Sequence, residues 1–590
     1  KAAPKAETAP KKTATKETVP KKAPAKKETA PKKAPAKKAP ASTKKTGTKR
    51  KAEEETTASP PAKKAKKAPA KKETASKKKA APKKKAAPKK KAAPEKETPA
   101  EKEPAKKASA SKKTGTKRKA EEEEEEEEEE EATPLPPVKK VKLMAKGPVL
   151  NEPPTQRLNV YVFGEGTAGE LGLGTAKNAV DVKRPRLNPN LDAKSVGVVQ
   201  IEAGGMHVIA LTHDNKILTW GVNDQGALGR DTTWDGGLRD MDNAEGEDSD
   251  DEDSNDNGLN PKECIPGEVD WSQANLPEGT RFTQVAAGDS TSFVLTDDGR
   301  VYGWGTFRSN EGIFGFSPDV YVATRPVLIP DLKKITSIKA GANHALALDA
   351  SSAVYAWGSG QQNQLGRRVI ERTKIEGLKP RQFGLPKGAK TGISKIETGA
   401  YHSFAIAKNG KVFTWGLNNF GELGIPDGAG EDYAVVLKPQ AIKALAGKDL
   451  VSIKGASHHS VAATADGECL VWGRMDAGQM GLSPAEIGTM AAEAIVRDSK
   501  ETPRILLAPT KVGAITGRVV HVAANSDHTL VVTADGTAWS WGFSANYQTG
   551  QGTDEDVDVA RLIDNTAVRG KLLVGACTGG QFGVLTGLAA

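Results

Sequence analysis

The chain has 590 residues, with 87 Lys and Arg against 75 Asp and Glu. The charge is split: the first 150 residues hold 46 basic and 22 acidic side chains and the rest hold 41 and 53, so an arm of net +24 precedes a body of net −12. Cys264, Cys469 and Cys577 are far apart and form no CxxC, which excludes a disulfide framework and suits a reducing compartment; without an apolar run of about eighteen residues or an apolar leader, neither a membrane span nor secretion is expected.

Residues 1–150 are rich in Lys, Ala and Pro, as in Lys21-Lys22-Ala23-Pro24-Ala25-Lys26-Lys27. With little to bury and proline recurring, this arm is predicted to be disordered. The phrase Lys44 to Glu55 is repeated at Lys112 to Glu123, a duplication that multiplies charge and adds no fold. Such lysine density binds nucleic acid by displacing counterions, without reading sequence; a solubilising tail is the plainer reading. The acidic block Glu121 to Glu131 is placed to fold back on the lysines. Two clusters, Lys117-Arg118-Lys119 and Lys139-Lys140-Val141-Lys142, read as a nuclear import signal, with importin as its partner.

From about residue 155 to 590 the chain repeats itself. Phe163-Gly164, Trp220-Gly221, Trp304-Gly305, Trp357-Gly358, Trp415-Gly416, Trp472-Gly473 and Trp541-Gly542 recur at intervals of 53 to 84 residues. A period near 50 marks a propeller-like array. A typical unit runs Ala-Gly-x-x-His, an apolar alternation, Asx-Gly, a second alternation, Trp-Gly, then a glycine-rich exit ending Leu-Gly. Asx-Gly between alternating runs signals a hairpin whose two central residues take positive φ; it appears at 298–299, 409–410, 466–467 and 535–536, while Asp214-Asn215 and Ser351-Ser352 depart from it. The expectation is an all-β, seven-bladed propeller with small residues at the start of each inner strand. Val160 to Phe163 and Phe582 to Leu585 should share one blade and clasp the ring.

The recurrent AGxxH, DG, WG and GxLG combination, clearest from Ala203 to Gly229, resembles the regulator of chromosome condensation family over all seven units. With its basic nuclear arm and bare seven-unit body, the chain is most similar to that family's chromatin-bound guanine-nucleotide exchange factors for the small GTPase Ran. The resemblance implies a nuclear protein that exchanges nucleotide without covalent chemistry by binding the GTPase best when its nucleotide and Mg²⁺ are gone. A chromatin scaffold that only binds proteins is the rival reading. No GxSxG, GxxxxGK[ST] or metal-ligand set occurs, so no cofactor or metal is expected. A closed ring gives no reason to expect more than a monomer.

His207, His344, His402, His459 and His528 fill one slot in five units, which argues for architecture. Two units break the pattern: Asp289 precedes a slot where Thr291 replaces histidine, and His458 adds a second histidine before His459. By resemblance these are the family's essential acid and histidine; read alone, they are equally a turn cap and a surface residue. Asn343 stands at a third contact position where close relatives carry an acid. The longer exit Thr306-Phe307-Arg308-Ser309-Asn310-Glu311-Gly312 resembles the family's wedge, pushed against the GTPase beside its nucleotide; alone it is a surface insertion. The basic stretch Arg367, Arg368, Arg372, Lys374, Lys379 and Arg381 resembles the loop that docks on the acidic patch of the nucleosome, and the arm would bind histones and DNA. An acidic insertion at about 240–256 is expected to be disordered.

Overall fold

The computed structural model describes residues 145–235 and 258–589. Residues 1–144 of the arm, both import clusters (Lys117, Arg118, Lys119 and Lys139, Lys140, Lys142) and the 240–256 insertion lie outside the described residues. Among those residues no helix is long and apolar enough to cross a membrane.

Seven antiparallel sheets stand around an axis, and their first strands touch in a closed ring: Val198–Ala203, Phe282–Ala287, Ile335–Ala340, Ile393–Thr398, Leu450–Gly455, Val519–Asn525 and Leu573–Thr578. We number the blades by sequence, the first being the clasp, where Leu158–Glu165 from the start of the body pairs with Phe582–Leu588 from its end, Val160 opposite Thr586. This is the expected propeller. Two details differ. The Ala-Gly pair does not open the innermost strand but ends it, and the slot histidine starts the second strand; crowding is greatest at that rim, where the glycines meet backbone of the next blade. In the Asx-Gly turns only the second residue has positive φ, 79° at Gly299 and 78° at Gly410, with Asn215 (70°) and Ser352 (66°) taking its place in the departing units. Thr296, Asp297 and Asp298 form an ordinary turn closed by a left-handed residue, the longer hairpin geometry and not the two-residue one.

The repeat residues meet between blades. Leaving blade 2, the Ala227 carbonyl accepts from Trp304 Nε1 (2.7 Å) and from Ser292 Oγ (3.0 Å) of blade 3, and His207 of blade 2 reaches the same serine through Nε2 (2.9 Å). The node recurs with Gln364, Trp415, Ser403 and His344, and with Glu422, Trp472, Ser460 and His402. His459 likewise meets Thr529 at 2.8 Å. The exit glycine is demanded by the same contact, since a Cβ on Gly229 would lie 2.7 Å from Trp304 Nε1, and the Trp-Gly glycine by the crowded rim, where a Cβ on Gly221 (φ 93°) would lie 2.5 Å from the Met206 carbonyl oxygen. All five slot histidines are buried, and His207, His344, His402 and His459 each reach a hydroxyl of the next blade.

Before the clasp strand, residues 145–151 lie on the lower turn of blade 3. Lys146 pairs with Asp297 at 2.7 Å, Gly147 N–H donates to Asp298 Oδ2, and Asn151 Nδ2 donates to Thr296 and Ile335 carbonyls. This strap, assigned from sequence to the arm, packs with the body.

Burial lowers the pKa of the slot histidines from the ordinary 6.5, to about 4 for His207 and His528, to about 3 for His344 and His402, and downward for His459. They are neutral in the fold and charge on unfolding, so the unfolded state binds more protons below pH 6.5 and stability falls with pH from there toward about 4. The denaturant midpoint is expected to fall across that window, with proton uptake on unfolding approaching one per buried histidine. A chain ended after Gly575 loses Phe582–Leu588 and the closure of the ring; circular dichroism and a melting curve should show no cooperative transition for the whole body, and native melting of that fragment would disprove the clasp's role.

Candidate functional site

In each complete blade the slot residue pairs with the Trp-Gly glycine: His207 with Gly221, Thr291 with Gly305, His344 with Gly358, His459 with Gly473. The loops before the slot and those after Trp-Gly therefore emerge on one rim. Asp289 and His458 belong to the first kind and the Thr306–Gly312 segment to the second, so all three features share one face.

After Gly305 the chain forms a two-stranded hairpin, Phe307–Ser309 against Gly312–Gly315. Its root is hydrophobic. Phe307 is fully buried, parallel to Phe316 (centroids 6.4 Å) and near Phe293 (6.1 Å), and Thr306 is fully buried with Oγ1 donating to the Tyr321 carbonyl. Both had been expected at the contact surface; they anchor the hairpin instead, because a two-stranded ribbon is marginal unless packed on something larger. Arg308, Ser309, Asn310, Glu311 and Gly312 form the projecting part. Asn310 N–H donates to Gln361 Oε1 (2.9 Å), and Arg308 pairs with Asp224 (2.6 Å).

Asn343 connects the hairpin to the acid. Its Oδ1 accepts from the Arg308 backbone N–H at 2.7 Å, which turns Nδ2 toward Asp289 Oδ2 at 3.4 Å. Asp289 itself is tied by its backbone N–H to the Ala342 carbonyl (2.9 Å). Its carboxylate lines the mouth of the axial funnel with Ala400, Lys454 and Asn525. Solvent reaches it, yet protein crowds it on most sides, and that desolvation lifts its pKa to about 6 against the pull of the Arg308 charge. Tyr401, partly buried nearby, has its hydroxyl pKa raised by burial and by the Asp289 charge.

His458 stands on the next loops of the rim. Its ring lies 4.8 Å from that of Phe420 and 6.3 Å from that of Tyr401, and Arg474 covers Phe420 at 5.4 Å. Asp289, Tyr401 and His458 thus line one arc running from the hairpin toward blade 6. Sequence reasoning missed Tyr401, Phe420 and Arg474, which carry no repeat signature.

The basic stretch is also redistributed. It lies against the hairpin: Lys374 pairs with Glu311 and with Glu371, both at 2.6 Å. Arg367 turns inward, Nη2 near the Ala356, Glu376, Gly377 and Lys379 carbonyls at 3.2 to 3.5 Å, and works as a staple of its own loop. Arg381 pairs with Glu376, while Arg368 and Arg372 are exposed. Arg367 is therefore committed to its own loop, whereas Lys374 and Arg381 are held in surface ion pairs. Among the described residues no group of three or more His, Cys, Asp or Glu is arranged to hold a metal.

A model described as RCC1-like domain matches residues 159–585. Protein pim1 of Schizosaccharomyces pombe is 40% identical over 438 residues, covering 74% of this chain and 76% of its own length. Guanine nucleotide exchange factor SRM1 of Saccharomyces cerevisiae is 38% identical, with 73% and 88% covered. Regulator of chromosome condensation of Homo sapiens is 30% identical, with 72% and 90% covered. A crystal structure of Prp20p from Saccharomyces cerevisiae, reported with its binding to Gsp1p and histones, superposes with TM-score 0.65 at 35% identity, covering 75% of this chain and 93% of that one. A clasped ring of seven blades, a rim whose repeat is broken where Asp289, His458 and the hairpin stand, and these likenesses along the whole body converge: the chain belongs to the regulator of chromosome condensation family.

Proposed function

We propose that this chain is a guanine-nucleotide exchange factor for the small GTPase Ran, working on chromatin in the nucleus. The observation that carries it is the convergence of Asp289, His458 and the anchored hairpin on one rim. SRM1, 38% identical, bears the exchange-factor name, and the Prp20p structure is reported with binding to Gsp1p and histones. The rim offers an acid, a histidine and a fixed projection, which suits binding that favours the nucleotide-free GTPase over the loaded one. Only such differential binding lowers the barrier to release, and by linkage the returning nucleotide weakens the grip by the same factor. No covalent step is required. Loading with GTP then follows cellular supply.

The hairpin residues Arg308, Ser309, Asn310, Glu311 and Gly312 would disturb the GTPase beside its nucleotide. Asp289 would hold a cationic or N–H-bearing group, and Asn343 would keep Asp289 and the hairpin in register. Chromatin engagement falls to the basic arm through DNA phosphates and histones, with the exposed Arg368, Arg372 and Arg381 as a further histone contact. Lys139, Lys140 and Lys142 would carry import on an importin; a structure of Kap60 bound to yeast RCC1 (Prp20), 34% identical, is consistent with this. The body acts as a monomer.

Asp289→Ala should slow release of labelled GDP about a hundredfold, about 2.7 kcal/mol; a wild-type rate rejects the assignment, and retained GTPase binding with no acceleration by the wild-type protein favours the scaffold. Because the Asp289 carboxyl must be ionised to attract a donor and its pKa is raised to about 6, release should accelerate as pH rises through about 6, and Asp289→Asn should flatten that rise. Arg372→Glu with Arg381→Glu should weaken nucleosome binding by about thirtyfold, each lost contact being worth roughly 1 kcal/mol; unchanged binding assigns chromatin contact to the arm alone.

A further inference from the structure

The exit loops of the repeat share a device two residues before the closing glycine. In three of them a glutamine side-chain oxygen accepts from the backbone N–H two residues earlier: Gln364 from Gln362, Gln479 from Ala477 and Gln548 from Asn546, at 2.8 to 2.9 Å. The remaining side-chain atom can look toward the following blade, although that of Gln364 donates within its own loop to Gln362 Oε1 (3.3 Å). Gln479 uses it: its Nε2 donates at 2.9 Å to Asp527, the residue just before slot histidine His528. At the same position of the blade 5 exit stands Glu422, whose Oε2 accepts from the Phe420 N–H at 2.7 Å. Its other oxygen lies 3.5 Å from Nδ1 of His458, the residue just before slot histidine His459.

The two positions are therefore of opposite polarity. An amide donor faces a carboxylate at one joint, and a carboxylate acceptor faces an imidazole at the other. Glu422 is fully buried. Both its Oε1 and His458 Nδ1 are shut off from solvent and have no other hydrogen-bond partner. A buried carboxylate oxygen left unpaired is costly, and a proton on Nδ1 directed at it removes that cost at both atoms. The separation is long for a finished bond, as is common where a catalytic contact tightens only in the complex. Phe420, positioned by the same carboxylate, lies 4.8 Å from the imidazole ring and limits its rotation.

We propose that Glu422 is a positioning residue for His458: its buried carboxylate keeps the imidazole proton on Nδ1, so that Nε2 is offered to the GTPase as a hydrogen-bond acceptor. The ring nitrogen that bears the proton is decided by the partner of the other. The group received would be an N–H, a hydroxyl or an ammonium, the same chemistry that Asp289 would attract at the other end of the arc. The consequence for exchange rests on the function proposed above; the Glu422–His458 geometry does not.

The test uses full-length protein labelled with ¹⁵N-histidine, with two-bond proton–nitrogen correlations at a pH where the imidazoles are neutral and His458→Gln to assign the signal. Wild-type His458 should show the Nδ1–H tautomer. Glu422→Gln keeps the loop-capping oxygen and introduces the side chain found at 364, 479 and 548, so packing is conserved; its amide donor should drive the proton to Nε2. GDP release catalysed by E422Q should show kcat lowered about tenfold with KM within about twofold, the pattern of an interaction made in the transition state. The indole N–H signal of Trp472, bonded to the Glu422 main-chain carbonyl, reports that the joint is intact. An Nε2–H tautomer in the wild-type protein overturns the proposal even if E422Q does not fold. So does an unmoved tautomer in folded E422Q. A moved tautomer with wild-type GDP release keeps the Glu422 assignment and rejects the part given to His458 in exchange.

Discussion

Everything in this molecule depends on one polar node between blades. A carbonyl on the loop leaving one blade accepts from an indole N–H and a hydroxyl of the next, while a histidine of the first blade reaches over to the same hydroxyl. Each node is buried, so its members have no water to fall back on, and losing one strands the others. That is why tryptophan, glycine and histidine return together along the chain: they are parts of one contact, contributed from two blades. The price of such a joint is that the residues composing it cannot do anything else.

The node is abandoned beside the candidate site. Thr291 replaces the histidine, and the position that should hold its hydroxyl partner is Ala345. The loop leaving blade 3, which would have presented the carbonyl, becomes the hairpin. Aromatic packing takes over: Trp357 meets Phe293 edge-on at 5.6 Å, with Phe307 and Phe316 behind it. Swapping directional hydrogen bonds for ring packing at that joint releases a loop and a hairpin from architectural duty. Asn343 then knits them to each other, one amide serving the Arg308 backbone and the Asp289 carboxylate.

The period of the chain made seven blades legible, because an aromatic-glycine pair with its turn and histidine repeats at the spacing of one sheet. Asp289 and His458 were visible as breaks in that period. The fate of individual side chains was not. Phe307 reads as an exposed hairpin residue until its neighbours Phe293 and Phe316, from other strands, are in place. Arg367 reads as one cation among several, and only the fold shows the four carbonyls that its guanidinium approaches. Glu422 is the intermediate case: its position is held by glutamine at 364, 479 and 548 and by glutamate at 170, and what sets Glu422 apart is the distance to His458.

A second joint of the ring also carries none of the three polar ties. Between blade 7 and the clasp, Phe163 has no indole N–H to give, Gly583 has no hydroxyl, and His528 meets neither. Apolar contact between Leu530, Val532, Phe163 and Val584 does the sealing there. Across this seam His521 still meets the Ala576 carbonyl (2.8 Å) and Asn525 Nδ2 donates to the Thr578 carbonyl (3.2 Å), and whole blades separate it on either side from the Asp289, hairpin and His458 sector. A disturbance at the clasp would therefore have to cross whole blades to reach the surface on which the GTPase would rest.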